Sequence, residues 1–348
     1  MKKFISSLFK SKSISFILII LTYIIVEILT HVTRMPRLFT SLLVPTTCYI
    51  VLALSLNLVV GISGELSLGH AGFMAIGAFT GVVVSGLLID VVSNEILRLF
   101  ISMLIGALVS GVFGFIISVP VLKLSGDYLA IVSLAFGQII KSLINNMFLG
   151  IDENGLQFSF VNNTINLNNG RMLLSGPMGA TDTVKISNFT AGIILILITL
   201  FIIYSLIESK YGRAIMAARD NLIAAESIGI NTVKIKTLAF VVSAALAGAA
   251  GCLYALNYST LQPAKFDFNT SILVLVYVVF GGLGNINGTI IATTLLYVLP
   301  EMMRSLQDYR MLIYSIVLIA IMQLSNSDYF RQLINSVKNI FTARRRHE

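Results

Sequence analysis

Charge is what this sequence has least of. Lys, Arg, Asp and Glu make up 11% of its 348 residues, while 56% are hydrophobic and the mean hydropathy is +0.90. A soluble domain carries roughly 25% charged residues, so a soluble globular fold is excluded. Cysteine is nearly absent: Cys48 and Cys252 each lie within an apolar run, at a spacing that makes neither a disulfide framework nor a metal site. The signatures of common chemistries are missing too. There is no G-x-x-x-x-G-K-S/T loop for hydrolysing a nucleotide, no H-E-x-x-H, no G-x-S-x-G and no Cys/His cluster. The formal net charge of +8 would suit nucleic acid, but the basic residues are scattered through loops and tails. They form no basic face, so no nucleic-acid partner is expected.

What the chain has instead is lipid-length apolar runs, at 14–30, 42–60, 71–89, 99–121, 128–149, 189–207, 238–256, 271–283, 289–303 and 311–324. The first seven have about the 17–25 residues that cross some 30 Å of hydrocarbon as a helix, and the last three are shorter. The expectation is an all-α, polytopic helical membrane protein: one transmembrane domain over 1–348, about ten transmembrane helices, some broken by glycine. The basic stretch 1–12 followed by an apolar run has the look of a secretory leader. That run is too long for a leader's apolar core, however, and no small-x-small cleavage site follows it. It is read as a first span.

Ten crossings put both termini and the segment 208–236 on one side. Of the 24 Lys and Arg, that side receives four in the tail 1–12, Lys123, five in 208–236 and five in the tail 325–348. The excess makes it the cytoplasmic side. The loop 150–188, on the other side, is rich in Asn and Gly. Alternation at 156–161 and 164–169 predicts a small hairpin there, a partner contact or a solvated connector. Arg344, Arg345 and Arg346 are placed to meet anionic lipid headgroups.

Two stretches break the apolar pattern. In G-I-S-G-E-L-S-L-G-H-A-G-F, residues 61–73, the glycines Gly61, Gly64, Gly69 and Gly72 work against an uninterrupted helix. Glu65 and His70 sit among them. Backbone freed at membrane depth is tolerated where it is buried in protein or lines a wet cavity, and broken helices mark translocation routes. A second reading fits as well: a turn plus close helix packing, since 69, 73, 77 and 81 keep the four-residue spacing of small-residue contacts. A further glycine cluster at 281–288 hints at an internal repeat.

The other stretch is 208–236, the most polar of the chain. Asp220 suits an N-cap, 221–228 holds strong helix formers, and Gly229 suits the left-handed position that ends a helix. Leu222, Ile223 and Ser227 share one face of that helix, with Ala225 turned elsewhere. A capped amphipathic helix that no membrane span needs is a docking element.

Residues 57–79, 211–255 and 278–304, containing NLVVGISGELSLGHAGF, YGRAIMAARDNLIAAESIGI and VVFGGLGNINGT, resemble the three signature regions of branched-chain amino acid ABC-transporter permeases of the LivM type. The resemblance implies an importer subunit, multi-pass in the bacterial inner membrane with both termini cytoplasmic. It would be paired with a homologous LivH-type permease, driven by two cytoplasmic ATPase subunits and fed by an extracytoplasmic solute-binding protein. No cofactor is expected on this chain, since ATP would be used by the partner subunits. The family's coupling helix maps onto 219–229, with Ala224, Ala225, Glu226 and Gly229 as its core, in an order shifted from that of other importers. Arg213, Arg219 and Asp220 lie beside it. Gly61, Gly64, Ser67, Gly69, His70, Gly72 and Phe73 are the candidate pathway. Relatives import urea, short amides, nucleosides or sugars, and the permease motifs do not separate these substrates. A self-sufficient channel or an ion-coupled carrier is the competing class. Glu27 and Lys141, near the ends of their runs, are the few ionisable residues it would use, each costing roughly 2.5–3.5 kcal/mol at the bilayer centre.

Overall fold

A computed structural model describes residues 2–32, 36–89, 91–122, 127–152, 155–160, 170–181, 183–302, 315–316 and 319. In chain order the described elements are α1 (Lys2–Val32), α2 (Arg37–Asn57), α3 (His70–Leu87), α4 (Glu95–Val121), α5 (Asp127–Asn145), β1 (Phe148–Asp152), β2 (Gly155–Ser159), β3 (Arg171–Ser175), α6 (Phe189–Glu208), α7 (Lys210–Asp220), α8 (Leu222–Ser227), α9 (Thr232–Ala255), α10 (Phe268–Gly281) and α11 (Ile286–Met302). Two compact units divide the chain, 1–294 and 295–348. In the second, residues 295–302 complete α11, and 315, 316 and 319 are helical.

Seven helical stretches among the described residues are long and apolar enough to cross a membrane: Phe39–Ile62, His70–Leu87, Glu95–Val121, Tyr128–Asn145, Phe189–Glu208, Thr232–Ala255 and Pro263–Gly281. The expected runs at 14–30 and 289–303 correspond to shorter apolar helices, Ser15–Thr30 and Ile286–Met302. The tenth run, 311–324, falls largely outside the described residues, as do the tail 325–348 and Lys123.

Small side chains decide where the helices cross. α9 carries the run Ser243–Cys252, almost all Ala and Gly, and packs against α2, α3 and α4. Lipid tails are as apolar as leucine, so helices associate through close van der Waals approach and interhelical hydrogen bonds rather than by escaping solvent. A Cβ at Gly77 would overlap the carbonyl of Gly248, and one at Gly251 the carbonyl of Met74. Ser110 of α4 ties the three helices together. Its hydroxyl lies 3.1 Å from the Phe73 carbonyl and 2.7 Å from that of Ala244. Cys48 and Cys252 are free and buried, as small core residues.

The helical reading needs one correction between α5 and α6. A three-stranded antiparallel sheet in the order β2-β1-β3 lies there, with Leu149 opposite Phe158 and Phe148 opposite Ser175. The alternating piece 156–161 does supply a strand, β2. Its partner is β1, which the sequence pattern assigned to the end of the fifth span. α5 stops at Asn145, and Gly150, Ile151 and Asp152 carry the pairing beyond any helical pattern. Residues 164–169, the other expected arm of the hairpin, lie outside the described residues.

Candidate functional site

The glycine break begins one residue after α2. Residues Leu58–Ile62 widen into a π-type turn, and the Ser63 and Glu65 amides reach back to the carbonyls of Leu58 and Val59 at 3.0 Å. Gly64 follows at φ +78°, a conformation costing a side chain roughly 1–2 kcal/mol. The chain then has no regular structure until α3 begins at His70, with Gly69 in the N-cap position. Its free amides find side chains: Leu68 N donates to Ser133 Oγ (2.9 Å) and Ala71 N to Ser271 Oγ (3.1 Å). α5 and α10 thus satisfy the end of the irregular stretch that leads into α3, while Gly64 and Leu66 are exposed.

Each candidate pathway residue has a definite place here. A Cβ at Gly61 would overlap Asn57 Oδ1 and the Gly284 amide, one at Gly69 the Ser133 carbonyl, and one at Gly72 would meet Gly137 Cα at 3.0 Å. These glycines therefore hold close backbone crossings, which is the packing reading. Phe73 is buried with its ring edge-on to that of Phe240. His70 is buried, and its Nε2 lies 2.8 Å from Ser55 Oγ. Ser55 Oγ also lies 2.8 Å from the Leu52 carbonyl, so the histidine bridges α3 to α2 through this hydroxyl. Ser67 differs from the others: it is buried, and its hydroxyl has no hydrogen-bond partner among the described residues.

The polar segment holds two helices rather than the single one expected from 219 to 229. Asp220 ends α7 instead of capping α8, and the cap is Asn221, whose Oδ1 accepts from Ala224 N at 3.0 Å. Asn221 is in extended backbone and Asp220 still helical, so only Asn221 has the geometry a capping oxygen needs. At the other end the sequence reading holds. Gly229 adopts φ +83°, Ile230 N donates to the Ala225 carbonyl (3.1 Å) and Gly229 N to that of Glu226 (3.0 Å), the paired bonds of a Schellman ending. Ala225 is buried and Ala224 exposed. Exposed Glu226 accepts from Thr232 Oγ1 at 2.7 Å, fixing α8 to the first turn of α9. Leu222 is exposed, while Ile223 and Ile228 are 80% and 74% exposed, so the large apolar side chains of α8 are left bare.

The two regions meet. Arg219 Nη1 donates to the Gly61 carbonyl at 3.0 Å, its Nε and Nη2 donate to Asp220 Oδ1, and its stem lies over Gly64. Lys236, one turn into α9, forms an ion pair with Glu65, and both side chains are only 14% exposed. The second glycine cluster joins from below α10: Asn57 Oδ1 accepts from Gly284 N (2.8 Å), and its Nδ2 donates to Thr289 Oγ1 (2.9 Å). Arg213 stands apart, donating to the Glu208 carbonyl at the end of α6 (2.9 Å). Reading the sequence alone missed Asn57 and left Glu65 and Lys236 without roles. A polar amide inside an apolar run, and one acid and one base bordering the two irregular stretches, were the signals available.

The family model described as "Branched-chain amino acid transport system / permease component" matches residues 38–322. The high-affinity branched-chain amino acid transport system permease protein LivM of Salmonella typhimurium is 36% identical over 293 residues, covering 80% of this chain and 66% of LivM. The chain thus spans just under two thirds of that relative's length. The corresponding LivH of the same organism is 24% identical over 71% of this chain and 79% of LivH. The fructose import permease protein FruG of Bifidobacterium longum is 24% identical over 73% of this chain and 71% of FruG. No solved structure matches the chain.

Proposed function

This chain belongs to the branched-chain amino acid transport permease family, and from that premise we propose that it is the membrane subunit of an ATP-driven importer of branched-chain amino acids. The observation that carries the proposal is the double tie between the α7–α8 segment and the glycine break: Arg219 to the Gly61 carbonyl, and Lys236 to Glu65. A channel or an ion-coupled carrier has no use for a capped, exposed helix tied to a broken span. A permease driven from outside its own chain needs both.

In this reading, the exposed apolar side chains Leu222, Ile223 and Ile228 dock on a separate cytoplasmic ATPase subunit. The Asn221 cap, the Schellman ending at Gly229 and the Glu226–Thr232 bond make α8 stiff enough to transmit force. When the ATPases close, α7 and the start of α9 move as levers, and Arg219 and Lys236 carry that motion into 61–65. A break whose glycines have no side chains to unlock is the element that yields, so small shifts at the loop become a change of access. The buried Ser67 hydroxyl supplies a polar contact to the passing solute. Both termini and 208–236 face the cytoplasm by the Lys/Arg asymmetry. The partners are a second, homologous permease of the LivH type, two ATPases and an extracytoplasmic binding protein.

A second substrate class is kept because FruG, a fructose permease, is also similar. The test is uptake by proteoliposomes holding the complete complex and its binding protein, with labelled leucine, fructose, urea and adenosine offered separately. Leucine uptake that stops without ATP supports the reading. Uptake of fructose alone replaces the substrate, and leucine uptake by this chain without ATPase subunits refutes the mechanism.

A further inference from the structure

We propose that Arg98 and Ser102, on the inner face of α4, form a carboxylate-binding site at the end of the bundle opposite α7 and α8, and that it receives the carboxylate of the transported amino acid. That the occupant is an amino acid rests on the function proposed above. That it is a carboxylate rests on the residues themselves.

Arg98 is only 4% exposed, and its Nε has no hydrogen-bond partner among the described residues. Ser102 is fully buried, and its hydroxyl is equally unpartnered. The two are four residues apart on a helix and so share a face. An arginine keeps its charge in a protein, and buried charges are found paired. A guanidinium and a hydroxyl left together without acceptors match what a carboxylate brings, two acceptor oxygens and one negative charge.

The register of the helices shows where this face points. Gly106 and Ser110 continue the same line of α4, and they touch Gly77 and Phe73 of α3 and Cys252 and Ala244 of α9. α3 and α4 run antiparallel, so two further turns bring Arg98 level with Ser85 and with the end of α9. Ser85 and Leu256 line a cavity of about 230 Å³, whose wall does not include Arg98 or Ser102 themselves. Thr181 and Thr183 add hydroxyls to its wall, Val82 and Leu173 add an apolar surface, and Arg171 contributes a second guanidinium, hydrogen-bonded to the Gly86 carbonyl. The described acids at this end are engaged or turned out: Glu95 is exposed, Asp152 accepts from Gln157, and Asp267 caps α10. What the cavity adds, with Arg171 as its own cation, is room for a short apolar side chain beside Ser85, the residue that stands level with Arg98.

The test is a thermal-shift titration of the purified complex in uncharged lipid nanodiscs, without binding protein, using sodium acetate against sodium chloride, and L-leucine against leucinol. Acetate and leucine are expected to raise the melting temperature, while chloride and leucinol, which lack the carboxylate, are not. Arg98→Gln should weaken the acetate and leucine responses on the order of 10- to 100-fold, and Arg98→Lys should keep part of them. Equal responses from Arg98→Gln and the unaltered complex overturn the site, as does a leucinol response matching that of leucine. Loss of the second permease from Arg98→Gln overturns it in favour of a partner's acid. An acetate response abolished by anionic lipid overturns it in favour of a headgroup phosphate. If the complex fed by its binding protein takes up no leucine, yet acetate binding still depends on Arg98, the amino acid reading fails and the carboxylate site stands.

Discussion

Breaking the ion pair between Lys236 and Glu65 should uncouple ATP hydrolysis from transport without dismantling the protein. Exposed pairs are worth about 0–1 kcal/mol, whereas removing one partner of a buried pair costs about 3–5 kcal/mol. At 14% exposure for each side chain, this pair lies between the two but closer to the buried case. Lys236→Met therefore costs about 2–3 kcal/mol of the attachment between α9 and the break. At about 1.4 kcal/mol for each factor of ten, that is a shift of roughly 30- to 150-fold in the balance between attached and detached loop. Arg219 still holds the Gly61 carbonyl, so the loop stays folded and the ATPases stay bound. The assay is paired measurement, in proteoliposomes, of uptake and of the ATPase activity that substrate-loaded binding protein stimulates. Uptake is expected to fall at least tenfold while basal ATP hydrolysis persists. The exchanged pair, Glu65→Lys with Lys236→Glu, should recover part of the uptake, because the attraction is restored with its polarity reversed. If Lys236→Met and Glu65→Gln both transport within twofold of the unaltered protein, the pair carries no force and the proposed coupling route is wrong.

Orientation is checked with single cysteines. Val91→Cys, exposed between α3 and α4, should react with an impermeant maleimide on intact cells, and Ile223→Cys only after permeabilisation; the reverse pattern inverts the topology. Gly69→Ala forces a Cβ into the Ser133 carbonyl, so it should separate α3 from α5 and cost about 1–3 kcal/mol, read as a lower melting temperature; no change would mean the crossing is looser than described. Gly229→Val meets no neighbour but forces a branched side chain into a left-handed position, at roughly 1–2 kcal/mol or more. It should loosen α8 and reduce co-purification of the ATPases; undiminished co-purification would remove α8 from the docking surface. Asn57→Leu strands the Gly284 amide and leaves the Thr289 hydroxyl only its bond to the Asn285 carbonyl, at about 1–3 kcal/mol, and a thermal shift smaller than that produced by Thr46→Val, a peripheral control, would deny Asn57 its role.

The sequence by itself determined the class of the protein, the place of most of its apolar helices though not their number, and the two stretches that depart from them. Those properties are local. A run of apolar residues is long enough for the bilayer or it is not, and Gly229 ends a helix because of its own backbone freedom. The motifs around 57–79, 211–255 and 278–304 likewise carried the family. Adjacent residues competing for one role were beyond it: Asp220 and Asn221 are both good caps, and only the backbone angle at Asn221 decides between them. The strand at 148–152 was hidden because its partner's alternation is legible in sequence and its own is not. Tertiary structure alone decided what the broken span is attached to. Arg219 and Gly61 are 158 residues apart, and Lys236 and Glu65 are 171 apart. No local pattern reports such contacts, because they follow from how Ala- and Gly-rich faces let α3, α4 and α9 approach and from where that packing leaves each charge. The same packing buried Arg98, which in the sequence is one more basic residue beside a loop, and left its Nε without a partner among the described residues.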